Sequence, residues 1–410
     1  MDKKSRKRIF LHWNRESAPQ ACIEKLESLM QEGIFEVEIF APERVTVYSD
    51  ICAPLAGIFE WYTKKKIRFK FTFPGENNYV RHTSIQKPYV VEELLDSSEL
   101  KFPLDKVWKY STPEGVNALV TSIINALRES AVLEPGVLSS TEWCVNEVMD
   151  NVLQHSNAQY GYVMGQLHRG RKRISICVFD MGVGIYNTLK KSKHIPRKPL
   201  DAITLALQER VTRDESVGQG NGMWGLNEII KENGGRIRIL SNGALYSYKN
   251  GIIDTKEDYP MIIGKYKNAT VIDFQIDYSK TINIAHALNG YIPTDYWIEN
   301  RETDDGTVYF EVKKDSAGTG TRIAAEKFRN VITNTLKEGN YNIVLDFSGV
   351  NIVSSSYADE LVGKLVVEYG FVYFLTHFQL QNLSPWNIGV VNRSVEQRMG
   401  HKYYDTILED

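Results

Sequence analysis

Apolar and polar positions alternate in short stretches and repeat at helical spacing in longer ones, which predicts an α/β chain from end to end. Residues 7–13 read as a strand, 18–31 as a helix and 36–40 as a second strand. Residues 45–66 then predict a turn and a helix interrupted early at Pro54, followed by an alternating strand over 67–73 and a turn over 74–78. The stretch 79–111 is mixed and reads as a surface connector. Thr112-Pro113 opens a helix whose stripe is Val116, Leu119, Val120, Ile123, Ile124 and Leu127. Further helices are expected at 141–156 and 200–211, with strands at 173–180, 236–240 and 271–276 and a hairpin excursion at 249–268. After a tyrosine-rich connector over 281–303, a β-α-β-α-β order follows: strand 307–312, helix 322–336, strand 341–347, a helical stretch within 348–366 and strand 371–376. The expected domains are 1–105 with its connector, 106–280, and 304–410.

Composition narrows the function classes. The chain has 410 residues, 42% hydrophobic and 24% charged, as in ordinary globular proteins. With 49 basic and 51 acidic residues, its net charge of −2 supplies no global field for nucleic acid or a membrane surface. Cys22, Cys52, Cys144 and Cys177 lack metal-ligand spacing and read as buried, reduced thiols, which fits a cytoplasmic protein. No apolar run reaches the ~18 residues of a membrane span, and the basic start is not followed by an apolar signal core.

The stretch from 141 to 226 carries the chemistry. Glu147, Asn151 and His155 are spaced i, i+4, i+8, so one side of a helix presents a carboxylate, an amide and an imidazole, while Val145, Val148 and Val152 turn toward the core. Ser139, Ser140 or Thr141 is the expected N-cap. Asp180 ends a strand beside Gly182 and Gly184, where a flat base can approach and donate its exocyclic amine to the carboxylate. Gly218, Gly220, Gly222 and Gly225 allow a backbone that curls around phosphate oxygens, with a helix beginning near Gly225 aimed at the same anion. Asn151 suits magnesium, and Glu147 is one turn away, placed to activate a hydroxyl or water. Arg213, close to this glycine turn, is a candidate phosphate contact.

In this order the motifs resemble the Bergerat-fold (GHKL) ATP-binding family of gyrase-type ATPases, Hsp90, MutL, histidine kinases and anti-sigma serine kinases. The resemblance covers roughly residues 106–280 and includes Thr270, although Asn268-Ala269 stands where the family often has glycine before that threonine. It implies a central α+β sandwich that binds ATP and Mg, with Glu147 catalytic, Asn151 holding the metal, and His155, Asp180, Gly182, Gly184, Arg213, Gly218, Gly220, Gly222, Gly225 and Thr270 around the nucleotide. His155 also reads as a residue favoured at a helix C-terminus by the dipole.

Residues 345–361 resemble the hydrophobic-Asp-x-Ser turn and serine-led helix of STAS domains, a likeness that covers about 305–400. It implies a phosphoacceptor at Ser355 and docking of a protein partner through this domain. Ser354, Ser355 and Ser356 read equally as helix caps. Laying Ser49 over Ser354 and Ala53 over Ala358 fits a first unit that is a diverged STAS-like copy, and fits generic α/β patterning as well. Three functions follow from the two resemblances: an ATP-dependent serine/threonine kinase or switch acting on STAS-like domains, an ATPase whose lid closure controls dimerisation or partner binding, and a non-catalytic ATP-binding scaffold. Homo-oligomerisation stays open.

Overall fold

The computed structural model describes residues 7–76, 78–211, 221–259, 268–291 and 296–408. The chain is mixed α/β, with three sheets among the described residues, and divides into two compact units, Met1–Ala126 with Val137–Ile292 and Leu127–Gly136 with Pro293–Asp410.

The first unit opens with a parallel sheet in the order β1 (Lys7–Phe10), β2 (Glu36–Phe40), β3 (Arg68–Thr72), connected by helices Ala18–Gln31 and Ser49–Lys64. The second helix runs through Pro54 without the expected interruption. Proline in the interior removes one backbone hydrogen bond, and burial of nearly every side chain from Ser49 to Phe59 offsets that loss.

An eight-stranded sheet follows. Its strands are β4 (Tyr89–Val90), β5 (Val107–Tyr110), β6 (Gly161–His168), β7 (Arg173–Asp180), β8 (Arg236–Ser241), β9 (Ala244–Lys249), β10 (Ile252–Lys256) and β11 (Thr270–Asp277), in the order β10-β9-β8-β11-β7-β6-β5-β4. Two of them come from the stretch expected to be a surface connector. Val107, Trp108 and Tyr110 are buried, and β5 pairs antiparallel with β6, so four residues suffice where burial replaces a long alternating pattern.

The pleat divides this sheet into two working faces. Cys177, Phe179 and Val271 join the core formed with helix Ser49–Lys64, whose Gly57 lets it approach Phe179: a methyl there would come within 2.6 Å of the ring. Val178, Asp180, Thr270 and Ile272 point the other way, where helices Val137–His155 and Gly222–Asn233 lie.

In the second unit, β12 (Thr307–Glu311), β13 (Asn342–Asp346) and β14 (Phe378–Gln381) are parallel in that order. Residues 127–136 belong here because Asn334, on helix Arg322–Glu338, donates to the Arg128 and Ala131 carbonyls and accepts from Leu133 N. The strand expected at 371–376 is instead helix Phe371–His377, and β14 comes after it. Gly370, at φ +89, lets the chain leave the preceding helix and start another, and of Phe371, Val372, Phe374 and Leu375 only Phe374 is buried. β-rich composition gave way there to tertiary placement.

Candidate functional site

Helix Val137–His155 begins earlier than its serines suggest. Ser140 and Thr141 are buried within its first turns, and the Thr141 hydroxyl donates to the Val137 carbonyl at 2.7 Å, so none of the expected residues is the N-cap. The apolar stripe, with Val145 and Val148 at 1% exposure or less, fixes the helix against the sheet and turns Glu147, Asn151 and His155 into a cavity of about 610 Å³. From Trp143 to His155 the helix lines this cavity over about 18 Å at 1.5 Å per residue.

At the His155 end stands Asp180, last residue of β7, paired across the sheet with Gly161 and Thr270. Its Oδ1 accepts from Gly182 N at 2.8 Å, and burial pushes its carboxyl up to about 7 against that bond. Gly182 has no room for a side chain, since a methyl would lie 2.1 Å from the Ser156 carbonyl oxygen. Gly184 has φ +75, and a methyl on it would lie 2.3 Å from Asn242 Oδ1. The turn between them is clamped: Val183 N donates to the Ser156 carbonyl, Ile185 N to Ser241 Oγ, and Tyr186 N to Asn242 Oδ1, while Asn242 Nδ2 donates to the Val183 carbonyl. Thr270 Oγ1 lies 3.0 Å from Ser241 Oγ, which joins it to this clamp.

At the other end Glu147 faces Gly222, the first residue of helix Gly222–Asn233, where a methyl would lie 2.1 Å from Glu147 Oε2. Burial, helped by the charge of Asp150, pushes the Glu147 carboxyl up to about 7, and burial raises Asp150 as well. Between the two ends, Asn151 Nδ2 is buried and has no hydrogen-bond partner among the described residues. A buried amide left in this way points to a ligand group or water that completes it.

The structure therefore brings Glu147, Asn151, His155, Asp180, Gly184, Gly222 and Thr270 to one cavity, with Gly182 in the turn behind it. Gly225 serves differently. The helix starts at Gly222 rather than near Gly225, and a methyl at Gly225 would lie 2.3 Å from Trp143 Cη2, so this glycine permits close packing of two helices. Arg213, Gly218 and Gly220 lie outside the described residues. Ser355 is in the other unit, exposed at the first position of helix Ser355–Ala358, while Ser354 caps that helix by accepting from Tyr357 N at 3.1 Å.

Several lining residues carried no signal in sequence. Trp143 continues the i, i+4 series one turn before Glu147 but is apolar, so a series of polar groups starts after it, and Asp150, three residues after Glu147, falls between its members. Ser241 and Asn242, which clamp the glycine turn behind the cavity, sit at a strand end followed by Gly243, the mark of a hairpin and not of a site. Leu288, Asn289 and Tyr291 come from the stretch read as a connector.

Comparison with known proteins bears on the C-terminal region. Residues 324–386 match the family model described as a STAS-like domain of unknown function (DUF4325). No curated protein gives a significant match. Among solved structures, the chain is similar to one described as the crystal structure of full-length ShkA in complex with AMPPNP, at 10% identity, over 92% of this chain and 72% of that chain, with a TM-score of 0.22. At that TM-score the likeness carries neither fold nor function. The chain is a mixed α/β protein with a STAS-like domain at its C-terminus.

Proposed function

We propose that the cavity binds ATP with magnesium and that the protein is a GHKL-type regulator which transfers the terminal phosphoryl group to a serine or threonine of a STAS-like domain. The observation that carries this reading is the convergence of Glu147, Asn151, Asp180, Thr270 and Gly222 on one cavity, with the Asn151 Nδ2 donor buried and unpartnered among the described residues.

The chemistry of the lining supports it. Asp180, held by Gly182 N on one oxygen, keeps the other for the amine of a base lying on the glycine turn. The first amides of helix Gly222–Asn233 and the Asn151 side chain are neutral groups suited to phosphate and a hydrated cation. Lining residues among those described include Glu147, Asp150, Asp180 and Glu209 but no Lys or Arg, so a triphosphate entering this acidic cavity needs a divalent cation to offset the repulsion. Magnesium, when bound, supplies that neutralisation. Glu147, with its carboxyl pushed up to about 7, accepts a proton from an incoming hydroxyl at neutral pH. Ser355, exposed at a helix start in the STAS-like domain, is the proposed acceptor.

Incubation with γ-labelled ATP and magnesium tests the reading. Labelled protein is expected from the wild type, with loss of label in Glu147→Ala and Asn151→Ala, and loss in Ser355→Ala if that serine is the acceptor. Free phosphate without labelled protein would replace the kinase with an ATPase switch, and bound ATP with neither product would leave a scaffold.

A further inference from the structure

The chain beyond β11 lies outside the 106–280 stretch that carries the family resemblance, yet Leu288, Asn289 and Tyr291 line the cavity. They are placed at its Trp143 end. Leu288 is only 4% exposed, and its Cδ2 lies 2.7 Å from where a methyl on Gly225 would sit, in the same spot that Trp143 occupies. The segment is anchored at several points. Asn283 caps helix Ile284–Ala287 by accepting from His286 N at 3.0 Å, and His286 Nδ1 lies 3.1 Å from Glu232 Oε2 on helix Gly222–Asn233. Asn289 and Gly290, at φ +51 and +93, then turn the chain across, and Asn289 Nδ2 donates to Glu209 Oε2 at 3.3 Å. Glu209 comes from the stretch after helix Pro199–Ala206, so two separate pieces of chain meet over one end of the cavity.

On the proposed reading, a base at Asp180 directs the phosphates along helix Val137–His155 toward the end where Glu147 faces Gly222, so the third phosphate is the group nearest that end. We infer that residues 288–291 form a wall of this site that reads the third phosphate and so distinguishes a nucleoside triphosphate from a diphosphate. The inference rests on the reading of the cavity as a nucleotide site. The groups offered are of the right kind: the Asn289 amide has a second N–H beyond the one given to Glu209, and Tyr291, 59% exposed at the rim, carries a hydroxyl donor. Neutral donors recognise an anion without adding to a cavity that is already acidic.

The test measures binding of a non-hydrolysable ATP analogue and of ADP, each with magnesium, to the full chain and to Asn289→Ala and Tyr291→Ala, together with amide hydrogen exchange over 284–291 and 180–186. The wild type is expected to prefer the triphosphate by about tenfold, a preference that falls to about twofold or less in either variant while ADP affinity stays unchanged. Exchange over 284–291 is expected to slow by about fivefold or more with the triphosphate and to stay unchanged with ADP, whereas both ligands protect 180–186. If both nucleotides bind and protect 180–186, but the preference survives in the variants and 284–291 exchanges as before, the inference falls and the nucleotide reading stands. Binding of neither nucleotide to the wild type overturns both.

Discussion

Sheets β1–β2–β3 and β12–β13–β14 share strand order and direction, and in each a long helix lies between the first two strands and a further helical stretch follows the second strand. The helices after the second strand differ. Helix Ser49–Lys64 is apolar almost all round, lacks a side-chain cap of its own, and has Ser49 N held by Gln166 Oε1 of β6 at 2.7 Å. Its counterpart, helix Ser355–Ala358 continued by helical turns through Tyr369, begins with its own cap, Ser354, and carries charge: Glu360, 1% exposed, meets Arg322, Arg329 and Lys364, while Asp359 meets Arg322 and Arg398. One layout thus yields a support layer completed by the cavity sheet in the first unit, and in the second a layer with its own core cluster. A helix with no polar face has to be covered on every side.

Overpacking the contact between helix Ser49–Lys64 and β7 gives the largest expected effect. Gly57→Leu forces a side chain into Phe179 and is expected to cost about 3 kcal/mol, with β1–β3 and β6–β7 losing exchange protection together. Loss of β1–β3 alone would break the comparison.

Next comes pH, with opposite signs in the two units. Burial pushes the Asp180 and Glu147 carboxyls up to about 7 and Asp273 to about 8. These three groups therefore hold more protons in the folded first unit than in the unfolded chain between about pH 4 and pH 8, and the stability they contribute is present below that window and is lost as pH rises through it. In the second unit the Tyr309 hydroxyl, with Asn382 and Ser348 N, holds Asp346 well below the usual carboxylate range, and Arg398 and Arg322 lower Asp359. Its stability is present above about pH 4 and is lost on acidification. Unit-resolved exchange at pH 4, 6 and 8 checks both signs, and Asp273→Asn should flatten the first.

Smaller effects follow. Glu360→Ala strips a buried carboxylate from three cations, two of them substantially exposed, and is expected to cost about 2 kcal/mol in urea unfolding followed on β12–β14. Ser354→Ala removes only a cap, with an expected loss of about 1 kcal/mol on the same transition.

Much of the fold was legible because burial leaves a period. The stripe of helix Pro113–Ser130, the alternation ending at Asp180 and the turn-bounded strands 307–311 and 342–346 all follow from it. The i, i+4 spacing of Glu147 and Asn151 was readable for the same reason, since one helix decides where both point. Other features were hidden because distant chain decides them. Tyr110 is buried by β6 and helix Val137–His155, donating to the Met149 carbonyl, and nothing in four residues announces that. Residues 371–376 have strand composition but take their form from Gly370 and the Phe374–Phe378 stack. Leu288 and Asn289 reach the cavity through Gly225 and Glu209, which no local pattern encodes.

The central claim is that the cavity between Asp180 and Glu147 is a nucleotide site, and equilibrium titration with a fluorescent ATP analogue tests it most directly. Saturable, magnesium-dependent binding is predicted for the wild type. Asp180→Ala and Asn151→Ala should each weaken it by about tenfold or more, the size expected when one buried polar partner is lost. Absence of saturable binding to the wild type, or binding that both variants retain in full, would contradict the account.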